Sequence, residues 1–358
     1  MKAVFDLKEA MDKKMISTNR KVVTFGEVML RLTAPDFRRF SQTNEFIATY
    51  GGSEANVAVS LANFGIPTEF VTRLPDNAMA QACIASLRAN GLGTEGIVFG
   101  GKRMGLYFLE SGASFRNSNV VYDREGSSFA TLRPGMIDWE KIFADADWFH
   151  WSGIAGADAC LEALQTADRM GLTISCDLNV RKKLWNYGRS VADVMLPLVQ
   201  YSDVIFGAEP EYKEVFDIAP VGFQAVDTAY PLDLKGFETF GQKISHIVPR
   251  CRKVFLELRN TITSNHNLLA AVLYSDQTLK YTGIYDITHE VDRVGTGDAF
   301  VGGMIYGLLT YPDNDQKALE FALAASALKN TVYGDFNQVT VEEVESLMKG
   351  NTSGRVTR

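Results

Sequence analysis

Residues 292–300, DRVGTGDAF, place two glycines, a threonine and an aspartate directly before an apolar helix. A helix N-terminus carries unpaired backbone N–H groups and the positive end of the helix dipole, so it binds anions. Gly295 and Gly297 allow an anion to approach the backbone closely. Asp298, beside this anion site, is a candidate base for a hydroxyl that attacks phosphorus. The stretch predicts phosphoryl transfer, although the helix dipole alone also favours an aspartate in the first turn.

Two better-known phosphate-binding motifs do not describe this stretch. No Gly-Lys-Ser or Gly-Lys-Thr follows the glycines, so the stretch is not a Walker A loop. Its position late in the chain, rather than after the first strand, excludes a dinucleotide-binding fingerprint.

Composition and charge exclude several partners. The chain has 358 residues, 46% of them hydrophobic, and a net charge of −7 without a basic stripe. Binding to nucleic acid or to an anionic membrane therefore has no electrostatic support. No apolar run approaches the ~20 residues that span a membrane, and the N-terminus lacks the apolar core of a secretory signal. We expect a cytoplasmic protein whose four cysteines are buried free thiols.

Strands and helices alternate along most of the sequence. Several strands are apolar on both faces, which is typical of a mostly parallel sheet with helices on both sides. We predict strands at 21–27, 68–74, 147–153, 172–179, 203–207 and 253–258, and helices at 51–65, 78–91 and 158–171.

Two segments break this alternation. Residues 28–50 and about 104–125 contain short alternating strands with no helix between them. They predict a small antiparallel sheet that is separate from the main one and acts as a lid. Pairing of its open edges between two chains would protect them, so we expect a homodimer or a larger homo-oligomer.

Two motifs together resemble the signatures of the ribokinase-type (PfkB) carbohydrate kinases. They are GGSEANVAVSLANFG at 51–65 and the DRVGTGDAFVGGM stretch that begins at residue 292. The resemblance covers residues 21–349, which leaves residues 1–20 as an extension and 350–358 as a disordered tail. It implies a ribokinase-like, doubly wound α/β fold with a small β-sheet lid. It also implies that Asp298 is the catalytic base and that Gly295, Thr296 and Gly297 form the anion hole.

Further segments resemble the 2-keto-3-deoxygluconate kinases of that family. The motif DLNVRKKLW, 177–185, follows a strand and is shared with fructokinases. Arg124 and Arg181, two arginines from different parts of the chain, would suit an acidic sugar better than a neutral one. For residues 51–58 the alternative is a plain capped helix start, and for the segments 105–110 and 120–126 it is a surface hairpin. For Arg181 the alternative is an ion pair with a neighbouring acid. The implied sugar-binding residues are Gly51, Gly52, Asn56, Tyr107, Tyr122, Arg124 and Arg181, together with Asp298.

The resemblance also implies ATP and Mg²⁺, and it leaves a monovalent cation open. Glu211 is the candidate that organises the water shell of the metal, unless it is only a solvated glutamate on a helix. Many relatives have a glycine loop where this chain has no glycine from 259 to 274, which puts the nucleotide contacts in doubt. The candidate residues on the nucleotide side are Asp177, Asn179, Glu211, Arg259, Asn260, Gly297, Asn330 and Gly334.

The sequence therefore predicts an ATP-dependent kinase that phosphorylates the 6-hydroxyl of 2-keto-3-deoxygluconate. One alternative is a fructokinase or another sugar kinase of the same family. The other is a non-catalytic sugar-binding or regulatory protein that has kept the fold.

Overall fold

The computed structural model describes residues 20–153, 157–181 and 188–354. Within these ranges the chain forms fourteen β-strands, ten α-helices and three short 3₁₀ helices. The strands are β1 (Lys21–Phe25), β2 (Met29–Thr33), β3 (Ile47–Gly51), β4 (Thr68–Leu74), β5 (Ile97–Phe99), β6 (Gly105–Glu110), β7 (Asn119–Asp123), β8 (Ala146–Ser152), β9 (Thr173–Asp177), β10 (Val204–Phe206), β11 (Lys253–Thr263), β12 (His266–Ser275), β13 (Thr278–Tyr281) and β14 (Tyr285–Ile287). The α-helices are α1 (Ser53–Asn63), α2 (Ala78–Ala89), α3 (Trp139–Phe143), α4 (Ala157–Arg169), α5 (Val191–Val199), α6 (Glu209–Phe216), α7 (Leu234–Ile247), α8 (Thr296–Thr310), α9 (Asp315–Lys329) and α10 (Val341–Met348). The 3₁₀ helices are Pro35–Phe37, Phe40–Gln42 and Phe129–Thr131.

The main sheet has ten strands in the order β13-β12-β11-β10-β9-β8-β1-β4-β5, with β14 paired to β12. The seven strands from β11 to β5 run parallel, and β12 adds an antiparallel edge. In β1, Val22 packs on one face while Val23 and Phe25 pack on the other, because successive side chains of a strand alternate. Helices cover both faces, which confirms the predicted doubly wound α/β fold.

The lid is a separate four-stranded sheet in the order β3-β2-β6-β7. The prediction of an antiparallel lid is correct for its outer pairs and wrong for the central pair, because β2 and β6 run parallel. The physical reason is that β2 and β6 follow the parallel strands β1 and β5. Both therefore leave the same edge of the main sheet in the same direction, and β3 and β7 pair antiparallel to them.

The glycine-free segment 259–274 is not a loop, as the sequence suggested, but most of a β-hairpin. Strand β11 continues to Thr263, and β12 pairs with it along its length. The β-branched run from Thr261 to Thr263 and the apolar residues of β12 favour strands, and only residues 264–265 separate them. At this turn, Ser264 N donates to Ser114 O (2.8 Å) and Ser264 Oγ donates to Arg116 O (2.6 Å), so the hairpin tip contacts the β6–β7 loop of the lid.

Helix α8 is apolar around most of its circumference because helices and the sheet surround it. Gly302 faces α1, where an added Cβ would lie 2.6 Å from Ser60 Cβ. Gly303 and Gly307 face α9, close to the Cα atoms of Ala322 and Ala318. These glycines thus permit close helix–helix packing, and the helix of Asp298 is held on two sides.

Two other predictions can be compared with the structure. All four cysteines are free and buried. Within the described ranges, no helix is both long enough and apolar enough to cross a membrane. The predicted extension, except for Arg20, and residues 355–358 of the predicted tail lie outside the described residues.

Candidate active site

A cavity of about 570 Å³ lies at the carboxyl ends of the parallel strands, between the N-terminus of α8 and the inner face of the lid. Ligands of open α/β sheets bind at this edge. The predicted site residues that line the cavity are Gly52, Asn56, Tyr107, Tyr122, Arg124, Asp177, Asn179, Arg181, Glu211, Arg259, Gly295, Thr296, Gly297 and Asp298.

Asp298 lies in the first turn of α8, and its carboxylate is held by two side chains of α1. Ser53 Oγ donates to Asp298 Oδ1 and Asn56 Nδ2 donates to Oδ2, both at 2.7 Å. Gly295, with φ +85°, precedes the helix and turns the chain so that this first turn faces the cavity. Burial raises the pKa of Asp298, and the two hydrogen bonds partly oppose that shift. The site therefore contains a fixed carboxylate beside the free N–H groups of a helix N-terminus.

A chain of hydrogen bonds connects the predicted sugar-acid residue to this carboxylate. Arg181 Nε donates to Asn179 Oδ1 (3.1 Å), and Asn179 Nδ2 donates to Ser53 Oγ (3.0 Å). Ser53 therefore connects Asn179, which follows β9, with Asp298 of α8. Residues 182–185 of the DLNVRKKLW motif lie outside the described residues.

The lid places two tyrosines and an arginine on the cavity wall. The rings of Tyr107 and Tyr122 lie 5.8 Å apart on the inner face of the lid. The hydroxyl of Tyr107 donates to the carboxylate of Asp335 (2.6 Å), so it is already used within the protein. Arg124 Nε donates to Glu27 Oε2 (2.6 Å), which leaves its other N–H groups for a ligand.

Four predicted site residues do not appear in the cavity wall. An added Cβ at Gly51 would lie 2.0 Å from Asp335 Oδ2, so this glycine makes room for the protein itself. Asn260 Nδ2 donates to Ala225 O (2.7 Å). Asn330 is fully buried and its carbonyl accepts from Val291 N (2.7 Å), and Gly334 N donates to Asp292 Oδ2 (3.1 Å). The last two residues are hydrogen-bonded to the 291–295 loop and do not line the cavity.

Asp177 and Glu211 form an acidic wall below Asp298. Burial and then the charge of Glu211 raise the pKa of Asp177, and burial raises that of Glu211. Glu211 Oε2 accepts from Ala208 N (2.7 Å) at the start of α6. A bound cation would relieve the repulsion between these carboxylates, so their chemistry fits Mg²⁺. Among the described residues, no three acidic, histidine or cysteine side chains lie close enough to hold a metal by themselves.

Several residues of the site were missed at the level of sequence. Ser53 stood in the predicted helix start and Arg293 in the glycine motif, so both could have been identified. Glu257 lies near the end of the strand predicted at 253–258 and lines the cavity. No sequence pattern marks Asp335, because its role depends on contacts with residues that are distant in the chain.

A buried ion network connects the lid to the loop before α8. Arg31 of β2 donates from Nη1 to Asp335 Oδ1 (2.7 Å) and from Nη2 to Asp292 Oδ2 (2.5 Å). Lys329 Nζ donates to the carbonyls of Asp292 (3.3 Å) and Val332 (3.1 Å). The four charged side chains are almost fully buried, and two positive charges balance two negative ones.

We expect Arg31→Met to destabilise the protein by about 3–5 kcal/mol, because it leaves two buried carboxylates without their arginine. Arg38→Met is the matched control, since Arg38 is an exposed arginine between β2 and β3 whose pairs with Asp36 and Glu45 lie at the surface. It should cost less than about 1 kcal/mol. Urea unfolding measures both values, and similar losses would show that the network does not hold the lid.

Glu54 should make stability depend on pH. Its carboxyl group is buried and accepts from Ser152 Oγ (2.5 Å), and burial raises its pKa from 4.5 to about 7. The folded protein therefore holds this proton more tightly than the unfolded chain. The stabilisation is complete below about pH 4.5 and is lost as the pH rises to about 7, a change of about 3 kcal/mol.

Urea unfolding of wild type and Glu54→Gln at pH 5 and pH 8 measures this contribution. The wild-type protein should lose about 2–3 kcal/mol more than the variant over this range. Equal losses would mean that Glu54 is not protonated in the folded protein.

Comparisons with known proteins agree with this geometry. The chain is 31% identical over 345 residues to 2-dehydro-3-deoxygalactonokinase of Haloferax volcanii, across 93% of this chain and 98% of that protein. The crystal structure of 2-dehydro-3-deoxygluconokinase from Thermotoga maritima has a TM-score of 0.85 and 40% identity, and the match covers 93% of this chain and 99% of that one. A putative ribokinase II from E. coli, in complex with ATP and Mg²⁺, has the same fold with a TM-score of 0.75 at 20% identity, over 93% of this chain and 100% of that chain.

The family comparison covers most of the chain. Residues 19–229 and 267–340 match the pfkB family carbohydrate kinases. The unmatched part, 230–266, contains all of β11, the first strand of the glycine-free hairpin. With Asp298 at the N-terminus of α8 and a lid over the cavity, this protein belongs to the pfkB family of carbohydrate kinases.

Proposed function

We propose that the protein transfers the γ-phosphate of ATP to the 6-hydroxyl of 2-keto-3-deoxygluconate. The observation that carries the proposal is the position of Asp298, fixed by Ser53 and Asn56 between the first turn of α8 and the arginine-bearing walls of the cavity. The names of two relatives, a 2-dehydro-3-deoxygluconokinase and a 2-dehydro-3-deoxygalactonokinase, support this class of acidic sugar.

Asp298 would accept the hydroxyl proton as the sugar oxygen attacks phosphorus. Its two hydrogen bonds hold both carboxylate oxygens, so the side chain does not have to reorganise during the reaction. The N–H groups of the first turn of α8 would stabilise charge on the transferred group. The lid would exclude water from the cavity and so limit hydrolysis of ATP.

Mg²⁺ would enter with the phosphates and neutralise part of their charge. Glu211 and Asp177 are the residues that would orient its water shell, because both carboxylates line the cavity. A requirement for a monovalent cation stays a prediction.

Recognition of the acid would come from Arg181 and Arg124. Burial lowers the pKa of Arg181, but Tyr122 and the carboxylates of Asp298, Glu211 and Asp177 together raise it above its usual value. It stays charged in this surrounding. Arg124 is neutralised in part by Glu27, so we assign it the supporting role and Arg181 the principal one.

We expect Asp298→Asn to lower kcat by about 10²–10⁴-fold, because the variant keeps the shape of the side chain and loses the base. In the wild type, kcat/KM should rise with pH through the raised pKa of Asp298, and this rise should be absent from the variant. Coupled ADP release with ATP and Mg²⁺ measures both quantities.

The substrates for this assay are ketodeoxygluconate, ketodeoxygalactonate, fructose, ribose and adenosine. Asp313→Asn, at an exposed aspartate, is the matched control and should retain full activity. Turnover of fructose alone would keep the mechanism and reject the acidic substrate. Full activity of Asp298→Asn would reject Asp298 as the base.

Ketodeoxygalactonate is the second candidate substrate, because the relative from Haloferax volcanii carries that name. Fructose is a weaker candidate, since two cavity arginines favour a carboxylate. The non-catalytic alternative is set aside, because the chain belongs to a kinase family and has the carboxylate in place.

We also propose that two copies of the chain associate through the outer face of the lid. Phe40, Phe46 and Phe108 form an aromatic cluster there, with ring centroids 5.9–6.5 Å apart. Val121, which pairs with Phe108 and so shares its face, is 47% exposed. The edge strands β3 and β7 are unpaired on their outer sides in the sheet order. A second lid would cover this apolar surface and these edges.

Val121→Glu should convert the assembly to monomers, because it places a charge in the apolar contact. Met170→Glu, at an exposed methionine that follows α4, is the control. Sedimentation velocity at several protein concentrations measures the mass of each. An unchanged mass for Val121→Glu would exclude the lid as the interface.

A further inference from the structure

Two arginines meet at the side of the cavity next to the anion hole. Arg259 of β11 donates from Nη2 to Thr296 Oγ1 (2.6 Å), at the first residue of α8. Arg293, in the loop before α8, donates from Nη2 to Thr261 Oγ1 (3.4 Å). Both side chains line the cavity and keep 21% and 30% of their surface exposed. Two guanidinium groups thus flank the N-terminus of α8.

The nearest carboxylates do not form direct hydrogen bonds with these arginines. Glu257 Oε2 lies 3.7 Å from Arg259 Nη2, and Glu290 Oε1 lies 4.0 Å from Arg293 Nε. Each carboxylate instead accepts a hydrogen bond from another partner: Ser326 Oγ donates to Glu257 and Asn267 Nδ2 donates to Glu290. The two guanidinium groups therefore keep N–H groups for an anion in the cavity.

The arginines also repel each other. Burial and then the charge of Arg259 lower the pKa of Arg293. The charges of Glu290 and Glu257 oppose this shift only in part, so an anion between the two guanidinium groups would be favourable. Such an arrangement is typical of a site for a highly charged ligand.

The hairpin explains why side chains are needed here. A loop rich in glycine presents several consecutive backbone N–H groups to a phosphate. In an extended strand successive N–H groups point to opposite sides, and residues 259–263 belong to the β11–β12 ladder. This stretch therefore cannot form a backbone anion nest, and guanidinium groups can take its place.

We propose that Arg293, together with Arg259, binds the polyphosphate of the donor nucleotide in place of a glycine loop. The inference rests on the proposed function, because it assigns donor-binding residues for that reaction. The first turn of α8 receives the transferred phosphoryl group, and the two arginines hold the phosphates that remain on the nucleotide. Recognition then depends mainly on the phosphate chain, for which the arginine fork supplies paired donors.

Titration calorimetry without Mg²⁺ tests the proposal with ADP, inorganic tripolyphosphate and adenosine as ligands. Arg293→Ala should bind ADP and tripolyphosphate about 10- to 100-fold more weakly than wild type, as expected for loss of charged hydrogen bonds. Adenosine and ketodeoxygluconate should bind both proteins equally. Arg252→Ala, at an exposed arginine that precedes β11, is the matched control and should match wild type.

Stability provides a second measurement. Addition of tripolyphosphate should raise the unfolding temperature of wild type and not that of the variant.

The outcomes separate this inference from the proposed function. If wild type binds ADP and tripolyphosphate and Arg293→Ala binds them equally well, the arginine site is wrong and the kinase reaction stands. If wild type binds neither ligand, both the proposed function and this inference are wrong.

Discussion

The buried ion network of Arg31, Asp292, Asp335 and Lys329 sets the geometry on which the active site depends. Arg31 belongs to the lid, whereas Asp292 belongs to the loop that leads into α8. A buried charge that loses its partner is costly, so these elements are held in one relative position even though separate sheets contribute them. Asp335 adds a steric constraint, because its atoms fill the space next to Gly51 and Gly295. The base of the lid and the N-terminus of α8 thus share one buried support.

The cavity wall has an acidic and a basic cluster, and each has an opposite charge beside it: Arg181 lies near the acids, and Glu257 lies 3.7 Å from Arg259. Asp177, Glu211 and Asp298 lie along the side where a metal and the acceptor hydroxyl would meet, while Arg259 and Arg293 lie beside the first turn of α8. Each group is unfavourable by itself, because like charges in a partly desolvated place repel. Magnesium and phosphate have the complementary charges. Binding of both charged ligands would therefore reduce the repulsion within each cluster.

Local patterns determined how much could be predicted. The parallel strands and the helix of Asp298 follow from residue types next to each other in the chain, and the structure has them at nearly the predicted positions. The contact of Asp298 with Ser53, the ion pair of Arg31 and the buried position of Asn330 depend on residues more than 200 positions apart or on packing between helices. The periodicity of apolar residues in the sequence does not indicate such contacts. The hairpin was missed because the expectation came from relatives with a glycine loop, although the β-branched residues were visible.

The contact between the hairpin tip and the lid has a consequence for how this fold can diverge. Short turns between surface strands normally accept inserted residues, because their backbone faces water. Here the turn at Ser264 and Asn265 is hydrogen-bonded to the lid loop through Ser114 and Arg116. An insertion at this turn would displace the lid loop while leaving the core of the main sheet intact. The length of this turn is therefore constrained by lid position, and related chains with a different turn length would need a different lid loop.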